Sequence, residues 1–490
     1  MTPQAFYKLL EKEVLIIDGA MGTMIQNLGY EARIYGGEDF QMLSEMLNLS
    51  RNEQIRDIHL EYFKAGASAV ETNTLCASPL RIYEHDFTQI DVSEFPEFQN
   101  GKTIRDLKIE EIAYYMSLYA AKAACDAKTL YMKDSSYDKR ELLVLGSLGP
   151  SNWVLSSTQA DLKKGTFEQV RDNFYQQTLG LVDGGVDALL FETQQDILEL
   201  KTGILGAKDA LAEKKVDIPI IAQVTVDQNA RMQIFNTDIM AAYTTLRGIG
   251  IHAFGINCGL GPDLLMPAVK KLSQNADIPI SIVPNAGLPE SIDGKTVFNM
   301  TPLMFRDHMK TYIEEYGVNI VGGCCGTTPE HIRVLRDEIG FREPLSRQIM
   351  DKVAFISGPQ TAVKLDSSES LIRIGERLNV RGSKKVREAV EEISPINHEV
   401  LEEVVVEQTR DLGLEIIDVC MDSNTVDTVQ TMVEVIQEQT MDFKGAMSID
   451  SFDVKALEAG IKVYPGRPII NSISLEEYSE GVDKLDAVLD

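Results

Sequence analysis

The stretch "NIVGGCCGTTPEHI", residues 319–332, contains one complete unit of the fold that the sequence predicts. An apolar run ends in glycines, and Thr328 with Pro329 behind it is typical of a helix N-cap and first helical position. A continuous apolar strand that leads into a helix indicates a parallel sheet with helices on both faces. The rest of the chain repeats this unit.

Apolar runs alternate with helix-like segments over residues 1–340. Together with 319–326, strands are predicted at 14–22, 68–74, 142–150, 187–193, 218–226, 253–259 and 280–287. Amphipathic helices are predicted between them, for example at 166–185 and 301–317. Eight strand–helix units favour a (β/α)8 barrel over an open doubly wound sheet. No GxGxxG follows the first strand, and no GxxxxGK[ST] occurs, so neither nucleotide-binding motif supports the alternative.

The alternation resumes after a predicted linker at 341–370, with strands at 371–379, 415–423, 446–451 and 468–474. The predicted fold class is therefore α/β, with a (β/α)8 TIM barrel at 1–340 and an incomplete, half TIM barrel at 371–490. Half a barrel leaves two open strand edges. A separate chain that completes the second barrel is one partner that this organisation suggests.

Composition narrows the range of functions. Asp and Glu outnumber Lys and Arg by 75 to 47, and the net charge of −28 argues against nucleic-acid binding. No apolar run approaches the ~18 residues of a membrane span, and the charged N-terminus is unlike a signal peptide. We therefore expect a cytoplasmic protein without a membrane partner. Six cysteines in 490 residues do not make a disulfide framework.

The predicted strand ends bring three of the six cysteines to one rim of the barrel. Cys258 ends the sixth strand, Cys324 and Cys325 end the eighth, and Asn285 ends the seventh between them. Three thiolates from neighbouring strands fit a tetrahedral zinc site with one position open to an oxygen ligand or a substrate. The same cysteines could instead be small buried residues or a redox pair. A disulfide between neighbouring cysteines needs backbone strain, which makes it the weakest of these alternatives.

Other strand ends supply polar groups to the same rim, among them Asp18, Glu71, Asn73 and Glu192. Two carboxylates that face one pocket suit an ammonium group. Backbone N–H groups of "DGAMGT", residues 18–23, could hold a carboxylate, although this stretch could also be a simple glycine turn. Asp18 and Glu192 could equally be capping or loop-holding residues. With thiolates opposite, the arrangement is the outline of a site for an amino acid that bears a thiol.

These motifs resemble those of the homocysteine methyltransferase family. "DGAMGT", "ETNT", "FET", "NCG", "PNAG" and "GGCCGTTPEHI" occur in the order typical of that family. In the second part of the chain, "IGERLNVRGSKK" (374–385), "IIDVCMD", "SIDS" and "NSIS" are similar to the methyltetrahydrofolate-binding barrel of cobalamin-dependent methionine synthases. Some positions differ from that pattern. Leu378 and Arg381 stand where threonines are common, and Cys420 stands where asparagine is usual.

The resemblance implies roles for individual residues. Zinc would be bound by Cys258, Cys324 and Cys325, with Asn285 as a fourth ligand when substrate is absent. Substrate would be bound by the residues Asp18, Gly22, Thr23, Asn73 and Glu192, with the amine on Asp18 and Glu192 and the carboxylate on the backbone of Gly22 and Thr23. Pterin contacts would come from Asn379, Asp418, Asp450 and Asn471.

The implied activity is zinc-dependent methyl transfer to the thiol of homocysteine, which forms methionine. The implied cofactors are Zn²⁺, methylcobalamin and methyltetrahydrofolate, and the implied partner is a corrinoid-binding domain or protein. No separate protein base is assigned, since zinc binding itself removes the thiol proton. The alternatives are methyl transfer from betaine or S-methylmethionine, transfer to another thiol, and a non-catalytic protein with structural zinc.

Overall fold

The computed structural model describes residues 1–156, 163–292, 295–347, 354–366, 368, 371–479 and 482–489. Parts of the predicted linker, at 348–353, 367 and 369–370, lie outside the described residues. In the described part of the chain, no helix has the length and apolar character needed to cross a membrane.

Eight parallel strands form the first barrel, and we number them β1 to β8. They are Leu15–Ile16, Ala69–Glu71, Leu143–Leu148, Ala188–Gln194, Ile220–Val224, Ala253–Asn257, Ile280–Val283 and Ile320–Val321. Their order in the sheet is β1-β8-β7-β6-β5-β4-β3-β2. A parallel bridge between Ile17 and Ala69 joins β1 to β2, so the barrel is nearly closed. This confirms the predicted α/β barrel class.

The strands are shorter than the sequence predicts. Apolar runs such as 14–22 and 319–326 give hydrogen-bonded strands of only two residues, Leu15–Ile16 and Ile320–Val321. The glycines and polar residues at the end of each run lie in the loops beyond the sheet. The predicted site residues of these runs therefore sit on loops that the barrel positions, as is common in this architecture.

Two apolar layers stabilise the first barrel. Its interior contains inward-facing strand residues such as Leu143, Leu145 and Leu190, together with Phe6 and Leu10 of the first helix, Pro3–Lys12. That helix precedes β1 and covers the N-terminal end of the strands. A larger apolar layer lies between the strands and the outer helices. The barrel is therefore open only at the C-terminal ends of its strands, where the active-site loops lie.

The α-helices are Pro3–Lys12, Met21–Leu28, Ala32–Tyr35, Leu47–Ser50, Asn52–Ala65, Pro79–Ile82, Ile109–Met132, Phe167–Gly184, Ile197–Lys214, Ile239–Gly248, Met266–Asn275, Pro302–Tyr316, Pro329–Ile339, Lys384–Arg387, His398–Val406, Thr428–Asp442, Val454–Val463 and Lys484–Leu489. Short 3-10 turns lie at Glu38–Phe40, Ser44–Met46, Phe87–Gln89, Gln99–Gly101 and Ile104–Asp106, and π-helical turns at Glu388–Glu392 and Glu407–Asp411. Three antiparallel hairpins, Pro289–Ile292 with Lys295–Phe298, Ala354–Ser357 with Ala362–Leu365, and Glu477–Ser479 with Val482–Asp483, complete the described elements.

The second domain contains a four-stranded parallel sheet, β9 to β12, in sequential order. The strands are Ile374–Asn379, Ile416–Cys420, Ala446–Asp450 and Ile469–Asn471. Helices between the strands pack against the sheet around their own apolar core. Ile374–Asn379 and Ile469–Asn471 are the two edge strands of the described sheet.

The hairpin Ala354–Ser357 with Ala362–Leu365 contacts both domains. Thr237 Oγ1 of the first barrel donates a hydrogen bond to the carbonyl of Pro359 at 2.7 Å. Ser357 exchanges backbone hydrogen bonds of 3.0 and 3.1 Å with Arg467 of the second domain. The buried hydroxyl of Tyr464 donates to the carbonyl of Ser357 at 3.0 Å. Part of the stretch between the two domains is thus a packed element.

Candidate functional site

The sulfurs of Cys258, Cys324 and Cys325 all lie within 4.8 Å of one another. Those of Cys258 and Cys325 are 3.8 Å apart. Cys258 follows β6 and the other two follow β8, with β7 between these strands in the sheet. The structure therefore places the three cysteines in one cluster at the C-terminal end of the barrel.

The loops that hold this cluster are hydrogen-bonded to one another. The backbone N–H of Cys258 donates to Val283 at 3.1 Å, and that of Cys324 donates to Pro284 at 2.8 Å. Cys258 adopts a φ of 57°, in the left-handed region that non-glycine residues rarely occupy. Gly326, with a φ of 79°, has no room for a side chain, since a Cβ there would lie 2.3 Å from Phe298. These constraints turn the backbone so that the thiols converge.

Asn285 lies beside the cysteines on the loop after β7. Its side chain is buried, and its Oδ1 has no hydrogen-bond partner in the described part of the structure. A buried acceptor without a partner is costly unless a ligand satisfies it. The side-chain amide also forms a hydrogen bond with Cys258 that helps to lower the pKa of that thiol.

The three thiols influence one another's ionisation. Hydrogen bonds from Cys324 and then Cys325 lower the pKa of Cys258 to about 3. The interaction with Cys258 is in turn the largest cause that raises the pKa of Cys325 to about 12 and that of Cys324 well above its usual value. One thiolate therefore forms easily, and three require a cation to offset their repulsion. Three sulfur donors with a neighbouring free oxygen fit Zn²⁺, which favours tetrahedral thiolate coordination.

Three carboxyl groups lie at the ends of strands that border the same opening. Burial raises the pKa values of Asp18 and Glu71 well above their usual range, and that of Glu192 to about 7. Both carboxylate oxygens of Asp18 accept the backbone N–H of Glu71, at 3.2 and 3.1 Å. Oε1 of Glu71 is buried without a hydrogen-bond partner in the described residues. A cationic ligand would be favoured among these groups.

Glu192 is linked to the cysteine cluster through Asn257. The side-chain amide of Asn257 donates to Glu192 Oε2 at 3.1 Å, and its Oδ1 accepts the backbone N–H of Thr193 at 2.7 Å. The hydroxyl of Ser147 donates a short hydrogen bond to Glu192 Oε1. Since Asn257 is the last residue of β6 and directly precedes Cys258, the end of one strand positions both the carboxyl group and the thiol.

Gly22 and Thr23 lie in the first turn of helix Met21–Leu28. The first N–H groups of a helix have no partner within it and favour an anion. The hydroxyl of Thr23 accepts the N–H of Gly326 at 3.4 Å, which ties this helix to the cysteine loop. Asn73 is buried and engaged elsewhere, since its amide donates to Ser44 at 3.0 Å and to Asn48 at 3.1 Å.

Of the polar residues predicted in the second domain, Asn379, Asp450 and Asn471 end their strands, while Asp418 lies in the middle of β10. The side chain of Asn471 donates to Asp418 at 3.2 Å. Asp450 sits beside them, and burial followed by the charge of Asp418 raises its pKa. Oδ1 of Asn379 accepts the backbone N–H groups of Arg381 and Gly382, at 2.9 and 2.8 Å. Three of the four predicted residues thus converge, while Asn379 shapes the loop after β9.

The sequence pattern places Glu71 and Asn257 at strand ends without assigning them a role, and it does not indicate Ser147. A strand pattern shows that such residues reach the rim, but not which of them touch. The hairpin Pro289–Ile292 with Lys295–Phe298 was also missed. The Asp-Gly pair at 293–294, flanked by residues suited to strands, is the signal that could have indicated it.

Comparison with known proteins agrees with this geometry. Residues 15–339 match the family model described as homocysteine S-methyltransferase. The chain therefore belongs to the homocysteine S-methyltransferase family, a family of methyltransferases. Residues 375–487 match the model described as pterin binding enzyme, which implies a second TIM-like domain.

Two curated relatives are named methionine synthase. The protein from Mycobacterium tuberculosis is 32% identical over 96% of this chain, and that from Mycobacterium leprae is 30% identical over the same share. The chain spans 36% of the length of each. It is thus similar over nearly its whole length to about a third of each of these longer proteins.

The structure also resembles solved structures of the homocysteine methyltransferase MmuM from Escherichia coli. Its oxidized form gives a TM-score of 0.51 at 21% identity, covering 69% of this chain and all of that one. The metallated form gives the same TM-score and identity, covering 99% of that chain. At this level of identity the likeness supports the barrel fold alone.

Proposed function

We propose that this chain transfers a methyl group to the thiol of homocysteine and so forms methionine. One observation supports this above all. Three cysteine sulfurs converge at the barrel mouth that three buried carboxyl groups also border, and no ion pair balances those carboxyl groups in the described residues. A ligand that carries both a thiol and an ammonium group matches this site, since the thiol suits the cysteine cluster and the ammonium group suits the carboxyl groups. The family match to 15–339 agrees with it.

The residues present fit a zinc ion. Cys258, Cys324 and Cys325 would bind it, and Asn285 would supply an oxygen when no substrate thiol is bound. Zinc, when bound, would supply Lewis acidity that lowers the pKa of a substrate thiol.

The chain's own groups orient the substrate. The ammonium would lie among Asp18, Glu71 and Glu192, whose carboxyl groups would become ionised beside it. The carboxylate would lie at the N-terminus of helix Met21–Leu28, near Gly22 and Thr23. Asn73 would support the loop between them by its contacts with Ser44 and Asn48. The substrate sulfur would thereby be directed at the cysteine cluster. There it would release its proton to solvent and form a bond to the methyl group as the bond between that group and its donor breaks, with the bonding electrons left on the donor.

We assign homocysteine binding to residues 1–340 and pterin binding to residues 371–490. Residues 341–370 would link these two domains. The methyl donor would be a methylcorrinoid on another domain or protein, recharged from methyltetrahydrofolate. Asp418, Asp450 and Asn471 would contact the pterin, with Asn379 shaping the adjoining loop. A separate chain that pairs with an open edge of the second sheet would be a further partner. The cytoplasmic location stays a prediction.

The test combines metal analysis with donor assays. The purified chain is expected to contain one zinc per molecule and to methylate homocysteine with methylcobalamin supplied in solution. Betaine and S-methylmethionine, tested in parallel, are expected to give no product. Absence of zinc, or methylation of homocysteine at full rate after zinc removal, would contradict the proposal.

A further inference from the structure

The mouth of the second domain carries a cationic and aromatic rim outside the polar floor. Phe452 follows β11 and is 66% exposed, an unusual setting for phenylalanine. The guanidinium of Arg381, on the loop after β9, lies 5.3 Å from the centre of its ring. Lys484 Nζ lies 5.8 Å from the same centre. Both distances are within the range of cation–π attraction.

Hydrogen bonds fix this rim in place. Asp422, on the loop after β10, accepts the backbone N–H of Phe452 at 2.8 Å and the hydroxyl of Ser451 at 2.5 Å. Lys484 is nearly buried and donates to the carbonyl of Ser451 at 2.6 Å. Arg381 donates through Nε to the carbonyl of Asp422 at 3.2 Å. Loops after three successive strands therefore hold Phe452 at the opening.

Arg381 differs from Lys384 and Lys385, the two lysines at the start of the helix that follows its loop. It makes no ion pair with a carboxylate in the described part of the chain, whereas Lys384 is 3.4 Å from Glu388 and Lys385 is 2.6 Å from Glu403. The floor of the opening is acidic, with Asp418 in β10 and Asp450 at the end of β11. In a chain of net charge −28, an unpaired guanidinium beside an exposed ring at this opening suits a ligand with an anionic end.

We propose that Arg381 and Phe452 bind the anionic aryl tail of the pterin ligand, the aminobenzoyl-glutamate part of a folate. The heterocycle would face the polar floor, the aryl ring would contact Phe452, and a tail carboxylate would pair with the Arg381 guanidinium. This inference rests on the proposed function, since it assumes that the floor binds a pterin. It adds a residue that selects folates over pterins without a tail.

The experiment compares two ligands on the full chain by isothermal titration calorimetry. One is 5-methyltetrahydrofolate and the other is 6-methyltetrahydropterin, which lacks the aryl tail. Arg381→Thr is expected to weaken binding of the folate about 5- to 10-fold and to leave the pterin unchanged, consistent with one charge-assisted hydrogen bond at a half-open site. Phe452→Leu is expected to show the same selectivity with a smaller effect. Lys384→Thr, which removes a paired cation at the start of the helix after this loop, is the matched control.

The outcomes separate the two proposals. A loss of affinity in Arg381→Thr for the folate but not for the pterin, together with a weaker salt dependence of folate binding, supports the tail site. Equal affinity of the variant and the native chain for folate, or equal loss for both ligands, overturns the tail site alone. If the native chain binds neither ligand, the pterin part of the proposed function fails and the tail site fails with it. Matching thermal unfolding curves show that the variants are folded.

Discussion

The side-chain amide of Asn257 donates a hydrogen bond to Glu192 at 3.1 Å, and the next residue along the chain is Cys258. The C-terminal end of β6 therefore positions a carboxyl group proposed for the substrate amine and a thiol proposed for zinc. Asn257 touches neither ligand in the proposed complex. It acts through its neighbours, which makes it a positioning residue.

Asn257→Ala is expected to raise the KM for homocysteine about 10-fold, because Glu192 loses the donor that orients it. The free energy of unfolding should fall by about 1–3 kcal/mol, the usual cost of unpaired buried polar groups. Zinc content should stay at the native level. Gln223→Ala is the control, since Gln223 is a buried amide on the neighbouring β5 that donates to Ser281 at 2.8 Å. A similar rise of KM in both variants would contradict a specific role for Asn257.

Cys324→Ala is expected to abolish stoichiometric zinc binding and to lower homocysteine methylation at least 100-fold. Two thiolates cannot replace three in charge or in geometry. Metal analysis and a methionine assay measure the two effects. Cys76→Ala provides the comparison, because Cys76 lies outside the cluster on the loop after β2. Normal zinc content in Cys324→Ala would show that the cluster does not hold the metal as proposed.

Glu71→Gln is expected to raise the KM for homocysteine about 10-fold, because the ammonium loses one of its three carboxyl partners. The KM for 4-mercaptobutanoate, the same thiol without the amine, should not change. This pair of substrates distinguishes contact with the amine from general damage to the site. If both KM values rise together, Glu71 supports the fold of the pocket and does not bind the amine.

Glu199→Gln is expected to change the pH dependence of stability. Burial of Glu199 raises its pKa to about 8, although it accepts the backbone N–H of Ser151 at 2.6 Å. Because the pKa of Glu199 is raised in the folded chain, this carboxyl group keeps its proton there at pH values at which the unfolded chain has already released it. The native free energy of unfolding should therefore fall relative to that of the variant between about pH 4.5 and 8, by at most about 1.4 kcal/mol per pH unit.

Urea unfolding at several pH values measures that difference. Glu168→Gln is the control, because Glu168 is exposed in the first turn of the preceding helix, Phe167–Gly184. Parallel pH curves for the native chain and Glu199→Gln would show that the carboxyl group of Glu199 is ionised in the folded state.

The existence and order of the barrel strands could be predicted because each buried parallel strand is an apolar run bounded by glycine or polar residues. The cysteine cluster could be placed because strands six and eight flank the seventh in any such barrel. Strand ends were less accurate, since the same apolar and small residues continue into the loops. Cys258 illustrates this, because its left-handed backbone already belongs to the loop.

Contacts between side chains were beyond the sequence pattern. Glu71 was recognised as a strand end, but its proximity to Asp18 depends on the bridge that closes the barrel between β1 and β2. Asn73 comes from the same strand end, yet its amide turns away to Asn48. Alternation along a strand predicts which face of the sheet each side chain lies on. Its hydrogen-bond partner depends on how the loops pack together in the folded chain.

The hairpin between the two domains has a practical consequence for dissecting the chain. A fragment that starts at residue 371 would leave Tyr464 without its acceptor on Ser357 and Arg467 without its backbone partner. Gly358 lies so close to Gly445 that a Cβ would stand 1.8 Å from that carbonyl oxygen, so this junction is closely packed. Expression of the second domain alone should therefore begin before Ala354, so that the hairpin stays attached to the domain against which it packs.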